Sequence, residues 1–187
     1  LNLNNNKFSN AVNHFKTITG HKMLVMKYCF KVGLYKQGLL HDLSKYSWVE
    51  FSAGVKYFRG NVSPNAVQKL EEGVSEAWLH HKGRNKHHFE YWIDHGIKRE
   101  DGYVGMKMPV KYVVEMFIDR VCASKIYNKE KYTDKDALNY YNKGKDYCIF
   151  HKDTQKLLEL LLNKLADEGE GTTLKFIKEV ILKKYNY

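Results

Sequence analysis

His41 and Asp42 set an imidazole nitrogen and a carboxylate oxygen side by side on the chain. Divalent transition metals take these two donor types together. Chance produces the dipeptide often, so its weight comes from its company. His21 falls in step with Ile18, Val25, Tyr28 and Val32 on the apolar face of an expected helix. Asp119 follows the run Val113-Val114-Glu115-Met116-Phe117-Ile118, with Met116, Cys122 and Ala123 as its helical neighbours. A carboxylate that faces a core is costly unless it is paired or holds a cation. Four of the nine histidines crowd into the segment Leu79-His80-His81-Lys82-Gly83-Arg84-Asn85-Lys86-His87-His88. Each of these signals has a plainer reading. His21 suits a core histidine, His41-Asp42 a helix cap, and Asp119 a partner for Arg120 or a lysine. The histidines of 80–88 suit a solvated basic loop.

The elements that must position these residues read as helices. One long helix is expected from about Phe8 to Leu40, with Gly20 as its weak point and Gly38 as its end. A second helical stretch starts near His41 and runs through Tyr46 and Phe51, weakened by Gly54 and Gly60. Asn61-Val62-Ser63-Pro64 signals a helix start, and the helix that follows carries Val67, Leu70, Val74, Ala77 and His81 on one face. His81 extends that stripe, which makes it a candidate ligand. Lys82 to Asn85 break the pattern, and His88 to Ile93 suit a short helical turn. Asp94 to Pro109, with three glycines, reads as a connecting loop. Pro109 opens a strong helix to about Tyr127. Thr133 to Asp136 form a helix start, with helix to about Lys145. Helices over 154–167 and 172–187, parted by Gly169 and Gly171, close the chain. No strand shows a sustained period of two. The expectation is an all-α fold in a single domain over 1–187, with a core over about 10–130 and further helices over 133–187 packed on it.

Composition narrows the function. The chain has 187 residues, 43% of them hydrophobic and 28% charged, which suits a globular domain. Three widely spaced cysteines with no Cys-x-x-Cys argue against a disulfide framework and a zinc ribbon, and for a reducing, cytoplasmic setting. No stretch approaches about 20 apolar residues, so no membrane span is expected. Leu1 to Asn10 are polar and Asn-rich, without the apolar core of a signal peptide. A net charge of +10 points to an anionic partner, either a phosphorylated metabolite, a nucleotide or a nucleic acid, or else to scattered surface lysines. Phosphate loops, dinucleotide fingerprints and nucleophile elbows are absent from the sequence.

The order His21, His41-Asp42, Asp119 on an all-helical chain resembles the HD-domain superfamily of metal-dependent phosphohydrolases. The longer run His41-Asp42-Leu43-Ser44-Lys45-Tyr46 is similar to the His-Asp-x-x-Lys form of such enzymes. The segments Trp78-Leu79-His80-His81, Asn85 to Trp92, Met108 to Tyr112 and Glu115 to Asp119 resemble a bacterial and phage family of HD-like proteins whose substrate is not settled. The resemblance implies an HD-like helical bundle with added C-terminal helices. It makes His21, His41, Asp42 and Asp119 ligands of one divalent metal. It adds a second ion on His81 and on His87 or His88, and it places Lys45 near a substrate phosphate.

One or two ions of Mn, Fe, Co, Ni or Zn are thus expected. Asp42, Lys45 and Arg84 would carry the chemistry, with Lys45, His80, Arg84, Arg120 and Lys125 as substrate contacts. The expected reaction is hydrolysis of a nucleotide or small phosphorylated metabolite. An HD-fold di-iron oxygenase uses the same ligands and is the first alternative. A basic helical nucleic-acid-binding module is the second. Pairing is common among HD proteins, which adds a homodimer to the partners.

Overall fold

The structure is a computed structural model that describes residues 2–60 and 62–184, with side chains from residue 7 onward. The fold is all-α. Among the described residues it has eight helices: α1 (Asn2–Val32), α2 (Tyr35–Leu40), α3 (Trp48–Lys56), α4 (Pro64–Glu72), α5 (Glu76–Lys82), α6 (Val110–Asn128), α7 (Asp136–Gly144) and α8 (Lys152–Phe176). A 3-10 turn at Leu43–Tyr46 links α2 to α3, and a second spans Phe89–Trp92. No described helix is long and apolar enough to cross a membrane.

Helix α6 is the central rod, because eight of its residues, Val113 to Ile118 with Val121 and Cys122, are buried. Val25, Tyr28, Cys29 and Val32 of α1 pack against one side of it. Leu158, Leu161, Leu162 and Leu165 of α8 pack against another, with Ala137 and Tyr141 of α7 completing the core. Burying such side chains contributes roughly 1.5–3 kcal/mol each. Cys29 and Cys122 are fully buried here as unpaired thiols, and burial pushes both thiol pKa values up. The C-terminal helices therefore share one core with the N-terminal ones. The expected helix over 172–187 runs on from α8 past a break at Gly169 (φ 80°, ψ 171°), and residues 185–187 lie outside the described ones.

The first expected helix is two. Gly20 stays helical, and the chain breaks instead at Gly33, whose φ of 90° is left-handed. Its amide donates to the Phe30 carbonyl and the Leu34 amide to that of Cys29, a Schellman ending. Gly38 is interior to α2. A Cβ there would stand 3.0 Å from Cys29 Cβ, so glycine lets α2 lie against α1. The stretch at His41 is not a helix but a left-handed residue followed by a 3-10 turn. The stripe drawn through residues 67–81 also fails. Gly73 ends α4, Leu70 is 87% exposed and Val74 60%, and His81 is buried on a different helix, α5. Asn61 of the expected start signal lies outside the described residues, and α4 begins at Pro64 as expected.

The expected loop over 94–109 holds a short antiparallel hairpin, β1 (Ile93–His95) with β2 (Tyr103–Gly105), in register Asp94 to Val104. Strands of three residues are too short to show a period. Gly105 backs onto the chain before α8, where a Cβ would stand 2.5 Å from the His151 backbone nitrogen.

Candidate metal centre

Between α1, α6, the 3-10 turn after α2 and the end of α5, seven side chains converge on Asp42. The turn is built to present it. Asp42 sits at φ 55°, ψ 22°, a left-handed conformation that aspartate tolerates better than most residues. Lys22 on α1 donates to the carbonyls of Leu39 (2.7 Å) and His41 (2.9 Å), which ties this reversal to α1.

The two oxygens of Asp42 face different ligand sets. Oδ2 looks toward His21 Nε2 (3.8 Å) and His41 Nε2 (3.4 Å). Those imidazole nitrogens are 3.4 Å apart, and Asp119 Oδ1 lies 2.8 Å from the first and 3.4 Å from the second. Metal bonds of about 2.1 Å hold neighbouring donors about 3.0–3.4 Å apart at octahedral and tetrahedral angles. Oδ1 of Asp42 looks the other way, toward His81 Nε2 (3.3 Å) and His87 Nε2 (3.4 Å), with His88 completing the group. We call these the His21 seat and the His81 seat. In the second, Asp42 Oδ1, His87 Nε2 and His88 Nε2 are buried without any hydrogen-bond partner. Buried polar atoms are rarely orphaned, and three converging orphans fit a shared cation.

Two further carboxylates orient the imidazoles. Glu115 accepts from Nδ1 of His41 at 2.9 Å and lies 3.2 Å from Nδ1 of His87, so it serves one ligand of each seat. Glu50 accepts from Nδ1 of His81 at 2.7 Å and from Nδ1 of His80 at 2.6 Å. A carboxylate on Nδ1 fixes the tautomer and turns the Nε2 lone pair toward the centre. Asn85 donates to Ser44 Oγ (2.7 Å) and to the His81 carbonyl (2.8 Å), which clamps the 82–88 loop to the 3-10 turn. Trp78 closes one side, edge-on to His88 at 4.9 Å.

The electrostatics call for positive charge. Burial opposes the ionisation of Asp42, yet the charges of His41, Lys45 and His81 hold its pKa well below the usual carboxylate range. Asp119 behaves likewise, with His21 and His41 outweighing burial. Burial also acts on Glu50 and Glu115, but hydrogen bonds from His81, and from His41 and His87, hold both low. Burial would lower the pKa of His41, but the surrounding carboxylates, Asp42 first, lift it to about 10. Burial keeps His21 and His88 low. Four ionised carboxylates thus face Lys45 and a few imidazole protons. Metal ions would displace those protons.

Lys45 Nζ lies 2.6 Å from Asp42 Oδ2, beside a cavity of about 220 Å³ that His21, Asp119, His81 and His88 also border. The expected ligands His21, His41, Asp42, Asp119, His81, His87 and His88 therefore come together, with Lys45 at the opening. Asp119 turns to His21, not to Arg120.

Four expected contacts stand elsewhere. Arg84 is on the outer face of its loop, bonded to the His80 carbonyl at 3.3 Å. Arg120 points a third of a turn away from Asp119, with its guanidinium over the Tyr141 ring at 5.9 Å. Lys125 faces α8, 2.8 Å from Glu170. His80 stays behind the centre on Glu50 and orients rather than touches. Helix periodicity, which the bare sequence order conceals, turns Arg120 and Lys125 away from Asp119.

Glu50 and Glu115 escaped sequence reading. Glu50 stands three residues after Ser47, so it reads as the far half of a capping box. Ser47 does cap α3, accepting from the Glu50 amide, but the Glu50 carboxylate turns inward to the histidines. Glu115 carried a usable signal: it stands one turn before Asp119 on the same apolar helix.

An all-α chain with buried imidazole–carboxylate seats on its central helices is thus the class that fold and site define. The chain belongs to the Family of unknown function (DUF5662), whose model matches residues 10–164 and so encloses the whole centre. No curated protein and no solved structure matches it.

Proposed function

We propose that this chain is a metal-dependent phosphohydrolase of HD type, acting on a nucleotide or small phosphorylated metabolite, with Asp42 shared between two divalent transition-metal ions. One observation carries the reading: the two oxygens of Asp42 face two separate sets of imidazoles, both oriented from behind by Glu115. When bound, such ions make hydroxide available near neutral pH and draw charge from a phosphoryl oxygen. Lys45, at the cavity edge, neutralises and orients the phosphate. Asp119, held ionised, would take a proton from attacking water. His41 and His87 sit deeper, where bulk water is excluded. A cavity of this size favours a small substrate over a polymer.

The test uses protein made without a histidine tag, loaded with Mn, Co, Ni, Fe or Zn, and assayed against nucleotides and sugar phosphates. Phosphate release is expected for at least one substrate, and it falls to background in His41→Ala, which removes a ligand of the ion that would activate water. Metal-loaded protein that releases no phosphate from any of them overturns the reading. If iron-loaded protein instead shows an oxygen-dependent spectral change, the oxygenase alternative replaces it.

A further inference from the structure

From the metal centre the cavity runs on between two helix faces. His14, Thr17, Ile18 and His21 border it from α1, and Asp119, Ala123, Ile126 and Tyr127 from α6. Both sets recur at the three- and four-residue spacing of a single helix face. His14 precedes His21 by two turns, so it stands about 10 Å away along α1. That is the reach of a phosphoryl group carrying a sugar-sized or nucleoside-sized group.

His14 is poorly explained as packing. It is only 7% exposed and lies against the rings of Phe51 (5.4 Å) and Phe58 (6.0 Å), yet its Nδ1 has no hydrogen-bond partner. A leucine or phenylalanine would fill an aromatic niche without leaving a buried polar atom unmatched. Helix α3 makes room for the ring through Gly54, where a Cβ would fall 2.0 Å from His14 Nε2. Burial, then the Lys45 charge, lowers the pKa of His14 to about 4, so at neutral pH it presents one donor and one acceptor and no charge. Among the described residues Lys45 is the sole Lys or Arg side chain that borders the cavity, and Ile18, Ala123 and Ile126 line part of the stretch between the two ends. A second or third phosphate placed there would meet apolar surface, a neutral imidazole and the uncharged polar groups of Thr17, Ser63, Asn65 and Tyr127, with no cationic side chain beside them.

We propose that His14 is the specificity-determining residue, hydrogen-bonding the uncharged organic part of a phosphate monoester whose phosphoryl group lies at the metal centre. The substrate class is then the monophosphates of neutral sugar-sized or nucleoside-sized groups, and not polyphosphates. This rests on the phosphohydrolase reading above.

Calorimetry on manganese-loaded protein tests it, with inorganic phosphate, a panel of nucleoside and sugar monophosphates, and the matching diphosphates. Wild type is expected to bind at least one monophosphate tenfold or more tighter than inorganic phosphate or the diphosphate. His14→Ala loses that tenfold, and His14→Gln, which keeps a donor and an acceptor, restores most of it. Inorganic phosphate binds all three proteins alike. The inference alone falls if His14→Ala binds the organic monophosphate as wild type does. It falls equally if the diphosphate binds wild type better, or if both variants lose inorganic phosphate along with the rest. Failure of inorganic phosphate to bind metal-loaded wild type takes down the phosphohydrolase reading and this inference with it.

Discussion

The two seats share Asp42 and the supporting Glu115, and differ in the rest. The His21 seat draws on α1 and α6, the long helices that build the core, and its groups satisfy one another: His21 with Asp119 at 2.8 Å, and Lys45 with Asp42 at 2.6 Å. The His81 seat draws on the last turn of a short helix and the loop after it, and it holds three orphaned buried atoms. Protons and a lysine can balance the first seat. The second has only the His81 charge to set against its orphaned atoms, so it gains more from a cation. A rigid seat that tolerates vacancy and a loop-borne seat that tolerates it less should differ in how much a metal stabilises them.

The largest effect is expected where both seats hang on one group. Glu115→Gln removes the carboxylate behind His41 and His87, so it should weaken metal binding at both seats by about 10–100-fold, the usual cost of losing such a partner. Titration followed by elemental analysis would show it; weakening at one seat only would break the symmetry assigned to Glu115. Glu50→Gln comes next. It should weaken only the His81 seat by a similar factor, leaving one tight ion per chain, and two unaltered ions would remove Glu50 from the centre.

The smallest effect concerns pH. His14 has a folded pKa lowered to about 4, below its unfolded value near 6.5. Its neutral form is therefore favoured by folding. That contribution is present above about pH 6.5 and is lost as pH falls from there through 4. Metal-free His14→Phe should show a shallower drop in melting temperature over that window than wild type. Parallel curves would mean that His14 titrates as in the unfolded chain.

Much of this was legible beforehand, because the strongest signals were local. The helix after Pro109, the break at Gly169 and the start at Pro64 each depend on a few neighbouring residues. That Asp119 needs a partner was legible because an aspartate in an apolar run requires compensation; that His21, His41 and Asp42 would join it was implied only by the resemblance. The Leu70–Val74 stripe misled because a left-handed Gly73 resets the helical phase, so a face drawn across it joins two unrelated surfaces. His81 was found by that wrong route. It is buried because α5 packs on α3, where Glu50 awaits it. Which nitrogen of each histidine faces inward depends on carboxylates distant in sequence, and neither Glu115 nor Glu50 declares its partner in the linear order.

The left-handed backbone at Asp42 sets two costs against each other. A glycine would adopt that geometry without the roughly 1–2 kcal/mol that a side chain adds in this region. It would also strand Lys45 and the charged imidazoles around it, and an unpaired buried charge costs about 3–5 kcal/mol. The bend at Asp42 is thus tolerated because its side chain balances the charges that crowd it, and searches for thermostable variants of this chain should be expected to pass over the one position where a freer backbone would look like an easy gain.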